Sequence, residues 1–455
     1  MKSLKNRRLS NMKHFENIII GFGKAGKTLA GSLTKNGQEV LLVEKDPSMY
    51  GGTCINVACL PSKNMIINAQ RGTDYDKAIA TKNELTAKLR NKNYHKVADQ
   101  ANATVLTADA EFIDDQTIQV SDDSGKEKLT ADKIFINTGS TPILPDIPGL
   151  KDSSHVFTSK TLLDQSKQNK NIAILGDGPI GLEFASMYAQ FGSQVTLISQ
   201  NKTILNQLEP EIANAAKEDM SIDGVQFLLN SQLIKVTETT DGIILDIDTP
   251  NGKQSLNADA LLVATGRRAN TDDLHLERTN IQTGHQGEIL INDRLETNVA
   301  NIFAMGDVAG SPQFTYISLD DWRILNNQFF GDQTRTRANR PVFANTIFLN
   351  PAISSVGQNE DQLQKEERPY QVFKMPTASV PKSQVIGDPR GSYKVLIDAK
   401  THQILGATIY AEEAYETINV ISLAMQNNLP AEALRDQIYT HPTMTEALND
   451  LFAEL

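Results

Sequence analysis

The chain has 455 residues, 40% of them apolar and 22% charged, with a formal net charge of −11 and two cysteines. Such a length suggests two to four domains, and the acidic balance argues against broad nucleic-acid or anionic-membrane binding. Two cysteines exclude a disulfide-stapled secreted scaffold and are too few to close a structural zinc site unaided.

The N-terminal stretch MKSLKNRRLSNMKHF is basic but has no apolar segment behind its charges, so it fails as a secretory signal. Residues 1–14 read as a disordered basic tail, with Met12 a second candidate start. No apolar run approaches the about 18 residues of a bilayer span. These features predict a cytoplasmic protein with no membrane partner and reduced thiols.

Residues 17–44 read as strand, glycine turn, helix, strand. The apolar run Asn17-Ile18-Ile19-Ile20 suits a buried parallel strand. Gly21, Gly23 and Gly26 then form G-x-G-x-x-G, a helix is expected to about Asn36-Gly37, and Val40–Val43 is the next strand. Glu44 falls about 20 residues after the glycines, where a dinucleotide ribose would be held.

Next comes Gly51-Gly52-Thr53-Cys54-Ile55-Asn56-Val57-Ala58-Cys59-Leu60-Pro61-Ser62-Lys63, which contains both cysteines. On an ideal helix two Cα atoms five positions apart lie about 8.6 Å from each other, whereas a disulfide wants roughly 4.4–6.8 Å. A bridge between Cys54 and Cys59 therefore requires a segment bent out of regular helix, and Pro61 is consistent with an irregular helix start. From the spacing alone, a redox pair and two inert buried thiols both stand.

Ile134–Ser140, with Thr138 and Gly139, is another apolar strand ending at glycine, and Thr141–Leu150, with three prolines, reads as a linker. The opening pattern recurs at 171–199: Asn171–Leu175, the turn glycines Gly176, Gly178 and Gly181, a helix through about Phe191, and the strand Val195–Ile198. One G-x-G-x-x-G is a weak signal, but two between strand and helix are much stronger. Each lets backbone approach a pyrophosphate at a positive helix N-terminus. Leu261–Arg267, with Gly266, and Ile302–Asp307, with Gly306, are further strands ending in glycine. From about Arg340 the texture becomes strands near 342–357, 370–378 and 393–410, then helices from about Glu412.

The predicted fold is α/β, with two Rossmann-like dinucleotide-binding domains and a C-terminal α+β domain. The first takes residues 15–150 and 270–338, the second 151–269 and the third 339–455.

These motifs, in this order and with the terminal His441-Pro442-Thr443-Met444-Thr445-Glu446, resemble the pyridine-nucleotide-disulfide oxidoreductase family over about residues 15–455. The resemblance implies FAD and NADPH or NADH as cofactors, and a C-terminal domain that dimerises. It implies that Gly21, Gly23, Gly26 and Glu44 hold the ADP half of FAD, and Asp307 its ribityl chain. Gly52, Thr53, Lys63, Thr138, Gly139 and Gly306 join that cofactor set, and Gly176, Gly178, Gly181, Glu183, Ser199 and Gly266 serve the nicotinamide nucleotide. By the same resemblance, Cys59 faces the flavin, Cys54 is the interchange thiol, and Lys63 pairs with Glu183. His441, oriented by Glu446, is the acid/base acting at the partner subunit's cysteines in a homodimer. Thiol–disulfide exchange independently needs a thiolate attacker and a proton donor for the leaving group, which a His–carboxylate pair supplies.

Departures narrow the branch. Mercuric reductases use a second, C-terminal cysteine pair, and this chain ends LNDLFAEL. Ser199 stands where dihydrolipoamide dehydrogenases carry an acidic residue, so NADPH is admissible. Pro179 stands where glutathione reductases place a gating tyrosine. The stretches IIIGFGKAGKTLA (18–30), MYGGTCIN (49–56), QFTYISLDDWRI (313–324) and HPTMTEALNDLF (441–452) resemble the reactive-chlorine-resistance branch of the family. This implies an oxidant-defence reductase acting on a small oxidant, hypothiocyanous acid (HOSCN), which is reduced to thiocyanate. Reduction of a low-molecular-weight disulfide or of Cu(II) is the alternative, and a non-turnover redox sensor a distant one. No resident metal site is expected.

Overall fold

The computed structural model describes residues 12–455, which divide into two compact units. The first comprises the chain up to Ser62, Thr81–Pro142 and Arg267–Arg340; the second comprises Lys63–Ala80, Ile143–Gly266 and Pro341–Leu455.

In the first unit, Ala103–Thr107, Val40–Glu44, Lys13–Ile20, Gly125–Ile136 and Ile302–Ala304 lie side by side in parallel. Thr117–Asp122 and Asp109–Phe112 extend the sheet antiparallel. Ile18, Ile19 and Leu42 are fully buried, as expected of parallel strands covered on both faces. Burying each such side chain stabilises by about 1.5–3 kcal/mol. The sheet therefore carries the stability, and the turns at the strands' carboxyl ends can be shaped for ligand. Those ends are Gly21, Glu44, Asn137 and Met305, and they share one edge, where open α/β sheets bind cofactors.

In the second unit, Val225–Leu228, Gln194–Ile198, Asn171–Leu175, Ala260–Val263 and Val156–Phe157 form an all-parallel sheet. Gln232–Glu238, Ile243–Thr249 and Gly252–Ala258 form a separate antiparallel sheet. The C-terminal segment builds an antiparallel sheet in the order Ala344–Ile347, Ala352–Gly357, Ile404–Ala411, Ser392–Asp398, Tyr370–Pro376. The helices Ala414–Gln426, Ala431–Arg435 and Ala447–Leu451 follow. Both predicted nucleotide folds and the α+β segment are therefore present.

Some boundaries differ. Most of the expected tail, residues 1–11, lies outside the described residues, but its end is not tail. Lys13 and His14 already pair with Leu129 and Thr130, and His14 bonds Thr130 Oγ1 (3.0 Å) and Asp132 Oδ1 (3.1 Å). The units are cut at Pro142, Gly266 and Arg340 rather than at 150, 269 and 338. The reason is a short ribbon: Ser140–Pro142 pairs antiparallel with Arg267–Ala269, so the expected linker begins as a strand. The segments expected as separate second and third domains share the second unit. Tyr410 donates to Asp219 (2.6 Å), Thr408 to Glu209 (3.0 Å), and the buried Lys394 to Glu211 (2.8 Å).

No helix of the described residues is long and apolar enough to cross a membrane.

Candidate functional site

The glycine turn of the first unit forms because Gly21 takes φ +101°, with its ideal Cβ position only 2.4 Å from Asn137 O. No L side chain fits there without displacing backbone. The helix Lys24–Lys35 follows with no side-chain cap from Gly23 and no acidic residue in its first turn, so no carboxylate competes with an anion at its positive end. Asn137 binds the turn to the next strand end, accepting from Gly26 N (2.9 Å) and donating to Met305 O (2.7 Å). Glu44 accepts from Phe22 N (3.0 Å) and Asp46 N (3.2 Å), and burial pushes its carboxyl up.

The cysteine segment packs directly on this turn. Gly52, at φ +82°, has its ideal Cβ position 2.7 Å from Gly23 Cα, so the two backbones touch where any side chain would separate them. Asn56 fastens the segment by donating to Tyr50 O (2.9 Å) and Gly52 O (3.0 Å), and Arg90 Nε holds its carbonyl (2.8 Å). Thr53–Asn56 is a single helical turn, Val57 leaves the helix at φ −143°, and a second helix, Cys59–Gln70, begins at the second cysteine. This break is the irregularity a Cys54–Cys59 contact requires.

Cys54 and Cys59 are half-buried thiols, not joined by a disulfide, that hydrogen-bond each other. The hydrogen bond with Cys59 raises the Cys54 thiol well above the ordinary cysteine range, and burial and the charge on Cys59 add to the rise. Thr315 and Lys27 pull it back less strongly. Within the pair, Cys54 is therefore the thiol held protonated. Thr315, which opens the helix Thr315–Phe330, places Oγ1 3.6 Å from Cys59 Sγ. Burial, and then the charge of Cys59, push the Tyr316 hydroxyl up.

Behind the pair runs a second polar chain. Ser140 Oγ donates to Asp307 Oδ2 (2.7 Å) and accepts from Arg267 Nε (2.9 Å), while Arg267 also donates to Ser140 O (2.7 Å). Burial raises the Asp307 carboxyl despite the bond from Ser140 and the charge of Arg267. Gly306 N donates to the fully buried Asp321 (2.7 Å), fixing the turn that carries Asp307. Thr138 Oγ1 donates to Asn270 O (2.7 Å), and Gly139 faces open space. These residues fit a flavin dinucleotide. The cradle would be filled by any Cβ, the helix start carries no acidic residue, and two half-buried carboxylates, Glu44 and Asp307, stand at strand ends where ribose and ribityl hydroxyls could donate to them.

In the second unit the turn repeats. Gly176 has φ +112°, the ideal Cβ of Gly181 would meet Gly176 O at 2.1 Å, and Gly178 faces open space. Pro179 is the first residue of the helix Pro179–Gln190, and Gly266, at φ +113°, ends the segment. Lys63 Nζ donates to Glu183 Oε2 (2.6 Å) and lies 4.9 Å over the Phe348 ring. Phe348 N donates to Glu183 Oε1 (3.0 Å), so both oxygens of this buried carboxylate are engaged. Ser199 is buried, its hydroxyl accepting from Asn201 N (3.0 Å), and the Asn201 amide reaches the Asp177 carboxylate (3.0 Å). His441 Nδ1 meets Glu446 Oε2 at 2.8 Å, and Thr443 N donates to Glu446 Oε1 (3.1 Å). The histidine side chain is 69% exposed, which leaves its Nε2 open to a partner.

Each unit thus assembles its own share of the predicted residues. Sequence reasoning missed Asn137, Ser140, Arg267 and Thr315 as site residues. A polar side chain just past an apolar strand end is the signal that could have found the first two. Among the described residues no group of three or more His, Cys, Asp or Glu side chains could hold a metal ion.

Comparison with known proteins agrees with this geometry. The family model described as pyridine nucleotide-disulphide oxidoreductase matches residues 15–321, and that of the family's dimerisation domain matches 343–452. The chain is 40% identical to the probable pyridine nucleotide-disulfide oxidoreductase RclA of Escherichia coli strain K12, over 97% of this chain and 99% of that protein. It is 30% identical to the mercuric reductase of Lysinibacillus sphaericus, over 98% of this chain and 84% of that protein. A solved Cu(II) complex of the HOCl-induced flavoprotein disulfide reductase RclA from Escherichia coli superposes with a TM-score of 0.94 at 40% identity, covering 98% of this chain and 100% of that one.

Proposed function

The chain belongs to the pyridine nucleotide-disulphide oxidoreductase family, and from that premise we propose that it reduces hypothiocyanous acid to thiocyanate at the expense of NADPH or NADH. Members of this family are flavin-dependent oxidoreductases that use FAD and a pyridine nucleotide and act on sulfur. When bound, FAD supplies the two-electron link between the nicotinamide and the cysteine pair. Gly21, Gly23, Gly26, Glu44, Gly52, Thr53, Thr138, Gly139, Gly306 and Asp307 would hold it. Gly176, Gly178, Gly181, Ser199 and Gly266 would hold the nicotinamide nucleotide. The Lys63–Glu183 pair fixes a cation within the second unit, beside the helix that carries Glu183.

The observation that carries the reading is the thiol pair itself, Cys54 and Cys59 brought together across the helix break at Val57 with Thr315 Oγ1 3.6 Å from Cys59 Sγ. In the proposed cycle the Cys54 thiolate attacks the sulfur of HOSCN. An S–S bond forms, the S–O bond breaks, and the departing hydroxide takes a proton from His441 of the partner subunit, leaving as water. The Cys59 thiolate then attacks the Cys54 sulfur, releasing thiocyanate and forming the Cys54–Cys59 disulfide. HOSCN gains two electrons and the thiol pair loses two. Because Cys54 is held protonated, it needs a base before it can attack, and a His441 oriented by Glu446 on the partner subunit meets that need. The match of the dimerisation-domain model across His441 and Glu446 supports a homodimer with shared active sites.

Ser199 leaves no carboxylate at the strand end to repel a 2′-phosphate, and the exposed Lys202 offers a cation, so NADPH is accepted alongside NADH. A solved structure of RclA is a Cu(II) complex, so Cu(II) reduction is the second reading, and a low-molecular-weight disulfide the third. Steady-state NAD(P)H oxidation with HOSCN, Cu(II) and a panel of disulfides separates them. The reading expects fast turnover with HOSCN, abolished by Cys54→Ser. Faster turnover with any disulfide, or full HOSCN turnover in Cys54→Ser, overturns it.

A further inference from the structure

Lys27 is the anomaly of the first helix. It is only 6% exposed, on a helix whose other buried side chains, Ala25, Leu29, Ala30 and Leu33, are all apolar. Packing there calls for an apolar side chain, and a buried ammonium is costly unless it is given work. Its Nζ donates to Gly51 O (2.9 Å), the carbonyl at the head of the segment that turns through Gly52 and Thr53 into Cys54. Burial pushes Lys27 down to about 8, and Lys24 on its own helix and Lys96 on the helix Tyr75–Ala98 push the same way. The charge favouring its protonated form is that of Cys54. Cys54, in turn, faces Cys59 and the Thr315 hydroxyl, with Lys27 the cation acting on it.

We propose that Lys27 is a positioning residue for Cys54, its buried ammonium both pinning the Gly51 carbonyl and lowering the energy of the Cys54 thiolate. This opposes the Cys59 charge, which otherwise keeps Cys54 protonated. It deepens the reading of Cys54 as the attacking thiol, and its test reads the thiol itself, so the identity of the oxidant does not enter.

The chain has two cysteines, so in a Cys59→Ser background Cys54 is the single thiol. The rate of iodoacetamide alkylation of that holoenzyme, followed by mass spectrometry from pH 6 to 10, reports the Cys54 thiolate (pH limits about these values). Lys27→Gln keeps a donor for Gly51 O but removes the charge. The proposal expects alkylation at neutral pH to fall about threefold or more, with the midpoint moved upward, and Lys27→Arg to retain the parent midpoint. Coincident profiles for Lys27→Gln and its parent would reduce Lys27 to a structural peg and overturn the proposal. If Lys27→Gln does not accumulate as holoenzyme, Lys27→Arg decides alone. Its charge persists at alkaline pH, so Cys54 must stay at least as reactive as in the parent, and lower reactivity there overturns the proposal.

Discussion

Gly52→Ala and Gly72→Ala form a controlled pair. Both glycines have positive φ, +82° and +67°, so each alanine carries a backbone cost of about 1–2 kcal/mol. They differ in what the new methyl meets. At Gly72 there is nothing within 4 Å, whereas at Gly52 the Cβ position is 2.7 Å from Gly23 Cα and 3.4 Å from Phe22 O. Backbone cannot swing aside as a side chain can, so Gly52→Ala must push the cysteine segment off the glycine turn, at an added cost of about 1–3 kcal/mol. If that strain is relieved by opening the turn, it weakens the grip on the dinucleotide by roughly 5- to 150-fold relative to Gly72→Ala. FAD release from the purified holoenzymes, followed by recovery of flavin fluorescence on dilution, measures the ratio. Equal retention by the two variants would refute the idea that the cysteine segment and the cofactor turn form one packed element.

Thr315→Val removes the hydroxyl that lies 3.6 Å from the Cys59 sulfur and pulls the Cys54 thiol down; iodoacetamide alkylation of the reduced enzyme should then titrate at higher pH, and an unmoved midpoint would contradict a hydroxyl that stabilises the thiolate. Glu183→Ala strips the carboxylate from Lys63 and the acceptor from Phe348 N, and stopped-flow reduction by NADPH should slow about tenfold, as expected for losing about 1.4 kcal/mol of positioning. Burial raises Glu211, but hydrogen bonds from Lys374 and Lys394 outweigh it and hold the carboxyl down to about 2. Its stabilising contribution is therefore present above about 4.5 and is lost as pH falls toward about 2. Glu211→Gln should lower the melting temperature at pH 7, with the gap to wild type closing across that window; a gap that is constant with pH would show the pair contributes nothing.

Legibility of the fold followed period and punctuation. Apolar runs such as Ile18–Ile20 and Ile172–Leu175, each ended by a glycine turn, announced buried parallel strands, and both pair in parallel on either side. The cysteine break at Val57 was legible only as a geometric requirement. The contact that seats the segment, between the Gly52 and Gly23 backbones, joins residues of two separate motifs. The same is true of the site residues that were missed. Arg267 reaches Ser140 across 127 residues, and Thr315 reaches Cys59 across 256, distances over which a single sequence carries no pairing signal. Lys27 was visible only as part of a quoted motif, because a lysine on an amphipathic helix ordinarily faces water. The tail boundary was misplaced because polar Lys13 and His14 enter a strand end that tolerates solvent.

The central claim is that electrons leave this protein through Cys54 to a small oxidant. Anaerobic enzyme reduced by one equivalent of NADPH, gel-filtered and mixed with HOSCN in a stopped-flow instrument, tests it most directly. The account predicts one thiocyanate released per reduced cysteine pair, in step with formation of the Cys54–Cys59 disulfide, and no such burst in Cys54→Ser. A burst of the same size and rate in Cys54→Ser would contradict it.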